Sequence, residues 1–530
     1  MSTAPHEGFG HRASWMVRRG RLPKAPRFAL CLAIGPMLAV GAATLAAQTR
    51  AATRVGPPHG TVLVVGGGLL GTDIRRAFID AAGGPDAPIV VVPTAGGAAV
   101  YSQDDRSAEA WRSAGAHNVL VLHTTDRAVA NSDSFIAPLA RARGVWFGGG
   151  RQFHLVDSYL GTRTEAAFHG VLARGGVVGG SSAGATILGD FLVRGAPSNN
   201  NRIMDDPRYE KGFAFLRGVA IDQHVVARER LPDLQDSIVP RHPGLFPMSE
   251  DEGTAWLVRG DTAVIIGAGQ AFAYQAATHD PGKPFVTLHP GDEFNLATRT
   301  VMRGASDAVP GIEAMVDGML GRYDDGNRGW ATVLAAVDGH VLVDRSYGIG
   351  PQPRLMPTTT LPLFDIGSMA LVFDSLCAQL PAPAPRNGPG GARGVTGNAG
   401  QQTPTPLQRC VSRTVAAAMG IHRTRADSTG AIESDVDELY RVARGLMPSV
   451  SGAPPQGPAI DVNRGWTADS VDGLTRYTAC AAPGCRRGVF ARIPARSAAV
   501  IILTNDPDAD VGAMADRVMR RILTAVPRAQ

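Results

Sequence analysis

The sequence predicts an α/β protein built on a parallel, doubly wound sheet, followed by a shortened α+β domain. Between residues 60 and 181, apolar runs such as Val62-Leu63-Val64-Val65 and Ile89-Val90-Val91-Val92 alternate with helical stretches, the pattern of strands covered on both faces. The last run, Val177-Val178, enters Gly179-Gly180-Ser181-Ser182-Ala183-Gly184-Ala185. That is the strand–turn–helix layout of a nucleophile elbow, Gly180-x-Ser182-x-Gly184. After about residue 305 the texture changes: Ala331 to Val343 reads as a hairpin turning at Asp338-Gly339, and a terminal strand and amphipathic helix follow.

A chain of 530 residues accommodates two or three cores. The boundaries read from it are a leader over 1–50, a first domain over 55–305, a linker over 306–329 and a second domain over 330–530. The formal charge is +5, yet Arg12, Arg18, Arg19, Arg21, Lys24 and Arg27 face Glu7 alone in the leader. The remainder is close to neutral, and no aromatic-interleaved basic patch marks a nucleic-acid partner. The basic residues precede an apolar run from Phe28 to Ala47, the layout of a secretory signal. Cleavage is expected between Ala46 and Ala52, with an uncleaved membrane anchor as the alternative, weakened by Gly35, Pro36 and Gly41. Either way the expected location is exported: periplasmic, extracellular or anchored to the membrane. Cys31 leaves with a cleaved leader. Cys377, Cys410, Cys480 and Cys485 remain, an even count that predicts two disulfides among three open pairings.

In the first domain, Gly60 to Val65 is a strand and Gly66-Gly67-Gly68-Leu69-Leu70-Gly71 follows it. The glycine spacing fits a dinucleotide fingerprint, but the next strand ends in Pro93-Thr94-Ala95-Gly96-Gly97 with no carboxylate for a ribose. No nicotinamide cofactor is expected, nor any other, and no cluster has metal-ligand spacing. Helices are predicted over Ser107–Ala114, Ile136–Arg143, Gln152–Leu160, Glu165–Arg174 and Thr186–Leu192, and strands over Asn118–His123 and Gly144–Phe147. In such sheets ligands gather beyond the strand C-termini. That puts Gly148-Gly149-Gly150-Arg151-Gln152 and Ser182 on one rim. Two further clusters are Asp222-Gln223-His224 with Arg228 and Arg230, and Asp251-Glu252-Gly253-Thr254-Ala255. A serine hydroxyl is a weak nucleophile at neutral pH, so a histidine must take its proton and a carboxylate must orient that histidine. The clusters supply these parts in order.

Together these motifs resemble the cyanophycinase family of serine peptidases, relatives of the aspartyl dipeptidases. The likeness covers roughly residues 60–300 and rests on Gly149-Gly150-Arg151-Gln152, Gly180 to Ala185, Asp222 to Arg230, and Asp251 to Ala255. The resemblance implies a flavodoxin-like (class I amidotransferase-like) sheet and a triad of Ser182, His224 and Glu252, with Asp251 as second choice for the acid. It implies an oxyanion hole from the backbone of Ala183 and of the Gly149-Gly150 loop, with Gly150 the chosen donor. Gln152, Asp222, Gln223, Arg228 and Arg230 would contact substrate, the arginines through a carboxylate. One departure stands out. The family places a further arginine where this chain has Asp233, which puts the β-aspartyl-arginine polymer in doubt as substrate.

The second domain is similar to the serine β-lactamase and D-alanyl carboxypeptidase family. The hairpin, Phe364-Asp365-Ile366-Gly367-Ser368 and Val500-Ile501-Ile502-Leu503-Thr504-Asn505 carry the likeness. Ser368 falls on that family's nucleophile, but its lysine position is Leu371, and no tyrosine motif follows. This domain is therefore expected to bind or brace without hydrolysing. The stretch Pro381 to Pro406 reads as a flexible loop, which a Cys377–Cys410 bridge would close.

The expected function is an exported serine exopeptidase that cleaves aspartyl or isoaspartyl bonds. The alternatives are a non-catalytic binding protein of the cell envelope and an acyl hydrolase with a non-peptide substrate. Expected partners are a peptide containing aspartate and a second copy of the chain as a homodimer, with a membrane only if the leader is retained.

Overall fold

The computed structural model describes residues 54–197, 202–280, 283–323, 329–348, 363–380, 404–427, 429, 431–446 and 465–525. The leader, its expected cleavage site and most of the proline- and glycine-rich stretch lie outside the described residues. The described residues form one compact unit.

The first half opens with β1 (Thr61–Val65), β2 (Ile89–Val92), β3 (Val119–Val121), β4 (Gly144–Phe147) and β5 (Val177–Ser181). Their order is β1-β5-β4-β2-β3, and every pairing is parallel. Alternate residues serve opposite layers. Leu63, Val65, Ile89 and Val91 pack with Ile74 and Phe78 of the Thr72–Ala82 helix. Val62, Val64, Val90 and Val92 pack with Leu155 and Phe168 of the Gln152–Tyr159 and Arg163–Ala173 helices. This two-sided burial is why the strands read as unbroken apolar runs.

The sheet does not stop at β1. It continues antiparallel through β8 (Thr254–Arg259), β9 (Thr262–Gly267), β12 (Glu293–Asn295) and β13 (Thr300–Arg303), making nine strands among the described residues. A smaller sheet holds β6 (Val219–Gln223), β7 (Phe246–Glu250), β10 (Ala271–Tyr274) and β11 (Phe285–Leu288), with β6 and β7 parallel. The parallel sheet expected from the sequence is thus the centre of a mixed one.

Two predicted helices differ. Ile136–Arg143 resolves into short turns at Asp133–Ile136 and Ala137–Ala140. The helix expected after the elbow is one turn, Ala183–Thr186. There the backbone N–H groups of Asp190 and Phe191 both donate to the Val219 carbonyl, and Phe191 bridges to Ala220 and Lys211. Bonds to a neighbouring strand replace the next helical turn, outweighing local propensity.

In the second half, β14 (Ala331–Val337), β15 (His340–Tyr347), β16 (Thr467–Val471), β17 (Leu474–Cys480), β18 (Gly488–Ile493) and β19 (Ala498–Thr504) form an antiparallel sheet ordered β15-β14-β19-β18-β17-β16. One face packs Val333, Ala335, Val500 and Ile502 against the Ile312–Leu320 and Val511–Ala525 helices. The other packs Leu334, Ala336, Ile501 and Leu503 against the Ala370–Gln379 and Val436–Gly445 helices. Residues 306–329, expected as a linker, therefore carry Ile312, Val316 and Leu320 into a core. The disulfides are Cys377–Cys410 and Cys480–Cys485, with Cα atoms 5.8 and 4.6 Å apart.

Candidate active site

Five strand ends converge on one place. Ser182 follows β5, His224 follows β6, Asp251 and Glu252 follow β7, and the glycine loops 66–68 and 148–150 follow β1 and β4. Ser182 has φ 59° and ψ −118°, a strained conformation for a residue with a side chain. Its neighbours must be small: a Cβ on Gly180 would overlap the Gly184 carbonyl, and one on Gly184 the Phe147 carbonyl. His224 also has positive φ, at 57°. Its imidazole Nε2 lies 2.7 Å from Ser182 Oγ, and its Nδ1 bonds Glu252 Oε1. The Gly66-Gly67-Gly68 run makes room for this pair. A Cβ on Gly67 would overlap the His224 ring, and one on Gly68 the Glu252 carboxylate.

Burial opposes the charge of Glu252. The hydrogen bond with His224 and the fields of His422, His224 and Arg228 outweigh it and hold the carboxyl below its usual value. The acid is therefore ionised where an imidazolium beside it would need it. Asp251 has a different job. Its Oδ1 accepts the N–H groups of Val226 and Ala227, at 3.2 and 3.0 Å, and so ties down the turn after His224. Its Oδ2 pairs with Arg441 Nη2 at 2.7 Å.

The remaining sequence-predicted residues separate by burial. Gly149 lies against the nucleophile, since a Cβ there would sit 3.4 Å from Ser182 Cβ and 3.8 Å from its Oγ. Gly150, the donor chosen from the sequence, packs on the Ala95 carbonyl. Ala183 opens the single helical turn after Ser182. Gln152 is buried and its Nε2 donates to the Val193 carbonyl. Asp222, expected to meet substrate, is 0% exposed. Both its oxygens accept from Arg194, at 3.0 and 2.8 Å, so it is committed to an internal ion pair. Asp233, the departure noted above, joins the same guanidinium. Gln223 is buried with its Oε1 unpartnered.

Arg228 is exposed, whereas Arg230 is 6% exposed. Burial and the nearby Arg194 bring the Arg230 guanidinium down to about 10, with Asp222 and Asp233 only partly offsetting them. Its contact within the chain is a long 3.5 Å one to the Gln223 carbonyl. The described residues offer it no carboxylate within ion-pairing distance, and a buried cation in that state favours an incoming anion.

Sequence reasoning missed three participants. Arg194 has no motif around it. Glu250, fully buried, has no hydrogen-bond partner on either oxygen, because Trp256 Nε1 donates to the Ser249 carbonyl instead. Burial, then the charge of Asp222, pushes its carboxyl well above the usual range. His422 comes from the second half, with Nε2 3.0 Å from Glu252 Oε2. Nothing near residue 422 in the sequence signals that meeting.

The first half of the chain is similar to known peptidases. The family described as peptidase family S51 matches residues 62–266. A cyanophycinase of Synechococcus elongatus is 31% identical over 270 residues, covering 46% of this chain and 81% of the relative. Among solved structures, a peptidase from an acI-B1 Actinobacterium is 21% identical, with 46% of this chain and 97% of that one covered and a TM-score of 0.36. A class C β-lactamase is 9% identical, with 42% of this chain and 98% of that one covered and a TM-score of 0.25. On the family match and the first of these relatives, the chain belongs to peptidase family S51 and is a serine peptidase.

Proposed function

We propose that the chain is an exported exopeptidase that hydrolyses aspartyl or isoaspartyl peptide bonds with Ser182 as nucleophile, His224 as base and Glu252 as orienting acid. The observation that carries this reading is the continuous path from Ser182 Oγ through His224 Nε2 and Nδ1 to Glu252. In the first step Ser182 Oγ bonds the scissile carbonyl carbon while its proton passes to His224 Nε2. Glu252 stabilises the imidazolium and keeps Nδ1 protonated. The oxyanion falls to the backbone N–H of Ala183 and that of Gly149, the loop residue nearest the nucleophile. His224 then protonates the leaving amine, and a water deprotonated by the same imidazole releases the acyl group from Ser182.

Arg230, a buried guanidinium without a carboxylate partner among the described residues, suits the free carboxylate of an aspartyl residue. The name of the Synechococcus elongatus relative supports the same choice. Asp233 and Asp222 already share Arg194, so this part of the site is not an open acidic pocket for a substrate arginine. The basic and apolar leader supports export. In the second half Ser368 Oγ donates to the Cys480 carbonyl at 2.7 Å, and Leu371 is 54% exposed, which supports a non-hydrolytic role.

The test is hydrolysis of α- and β-aspartyl dipeptides by the full chain and by Ser182→Ala. The expected result is cleavage lost by at least about a thousandfold in the variant. Equal rates in both would overturn the serine mechanism.

A further inference from the structure

One helix of the second half works on the active site through a single face. Glu438, Arg441 and Arg444 recur at three-residue spacing along Val436–Gly445, so they lie on adjacent positions of one side. Arg444 pairs with Asp73 of the first half. Arg441 pairs with Asp251 and also donates to the backbone carbonyl of Glu252 at 2.7 Å. Glu438 fixes a loop: its Oε2 accepts the N–H groups of His422, Arg423 and Thr424 at 2.8, 2.9 and 3.1 Å. That loop begins at Gly420, which caps the preceding helix with φ 67°, and it delivers His422 to Glu252 Oε2 at 3.0 Å.

Glu252 therefore sits between two imidazoles, with His224 on Oε1 and His422 on Oε2. The free rotation of a carboxylate is what such an arrangement removes. Were Oε2 unheld, Oε1 would leave the line of His224 Nδ1 for part of the time, and the base would lose orientation. We propose that His422 is a positioning residue for the hydrolytic triad, supplied by the second half of the chain to hold the Glu252 carboxylate toward His224. The second half thereby completes a site whose reacting groups all lie in the first. The charged groups that line the small cavity beside His422 are Asp251, Arg423, Asp435, Asp437, Glu438 and Arg441.

This inference rests on the triad reading above, and its test separates the two. Full-length protein is labelled with a fluorophosphonate, a probe of serine nucleophilicity that needs no known substrate. The second-order labelling rate is compared for wild type, His422→Leu, His422→Gln and Ser182→Ala, beside their melting temperatures. Leucine keeps bulk without a donor, whereas the glutamine amide offers an N–H near the position of Nε2. The expected result is labelling about tenfold slower in His422→Leu, a loss of about 1.4 kcal/mol of activation, with His422→Gln within about threefold of wild type and no label in Ser182→Ala. Wild-type rates in His422→Leu, or a glutamine variant as slow as leucine, would overturn the positioning role while leaving the triad intact. Labelling of Ser182→Ala at the wild-type rate would instead remove the triad reading itself. Should His422→Leu fail to fold, slow labelling of a folded His422→Gln, with an unchanged melting temperature, overturns the role of the donor.

Discussion

Arg441 Nη2 stands 2.7 Å from Asp251 Oδ2, an ion pair between residues 190 apart in sequence whose side chains are 5% and 2% exposed. Removing one partner of a buried pair leaves an uncompensated charge, which costs about 3–5 kcal/mol. Asp251→Asn is therefore expected to lower unfolding free energy by about 3 kcal/mol. Urea denaturation of wild type and variant checks this, and a loss under about 1 kcal/mol would show the pair to be dispensable.

Glu252 should behave in the opposite way. Glu252→Gln is expected to reduce turnover by about four orders of magnitude, as triad-acid replacements do, while Asp251→Asn protein that remains folded loses less. The steady-state rates of the two variants decide it. A larger loss in Asp251→Asn would move the acid by one residue.

The same carboxyl makes a pH prediction. Its folded value lies below the unfolded one because the bond to His224 and the fields of His422, His224 and Arg228 outweigh burial. Its contribution to stability is thus complete above the unfolded value, about 4.3, and is lost as pH falls through the folded one. Glu252→Gln should flatten the acid side of the melting-temperature profile below about pH 4.3. An unchanged slope there would refute it.

Glu250 carries the reverse sign. Burial raises its folded value well above the unfolded one, so its contribution is most favourable below about pH 4.3 and is lost as pH rises toward the folded value. Glu250→Gln is expected to raise the melting temperature at pH 8 relative to wild type and to leave it nearly equal at pH 4. Calorimetry at both values provides the check.

Ser368 is expected not to react with β-lactams. Its hydroxyl donates a hydrogen bond to the Cys480 carbonyl, and a serine without an activating base stays protonated at neutral pH. Incubating the full chain with a fluorescent penicillin should leave no covalent label. A label lost in Ser368→Ala would contradict this.

The proposed triad was legible in the sequence because each member sits in a local pattern: Ser182 in a glycine elbow, His224 after a strand with paired arginines, Glu252 in an acid pair before a strand. The parallel half of the sheet was legible for the same reason, since two-sided burial writes itself as unbroken apolar runs such as Val62 to Val65. The antiparallel extension through β8, β9, β12 and β13 was not, because half-buried strands share their alternation with many surface segments. Local pattern also overextended the helix after Ser182, where bonds from Asp190 and Phe191 to Val219 decide the backbone. Asp222 looked like a substrate contact until the fold set Arg194 against it. His422 and Arg441 reach Glu252 and Asp251 only because one helix of the second half packs on the first, and a contact made by packing leaves no periodicity or spacing in the chain. The sequence alone thus determined which residues are candidates for the reaction. Tertiary structure decided which carboxylates are free to help them, and which distant side chains hold those carboxylates in place.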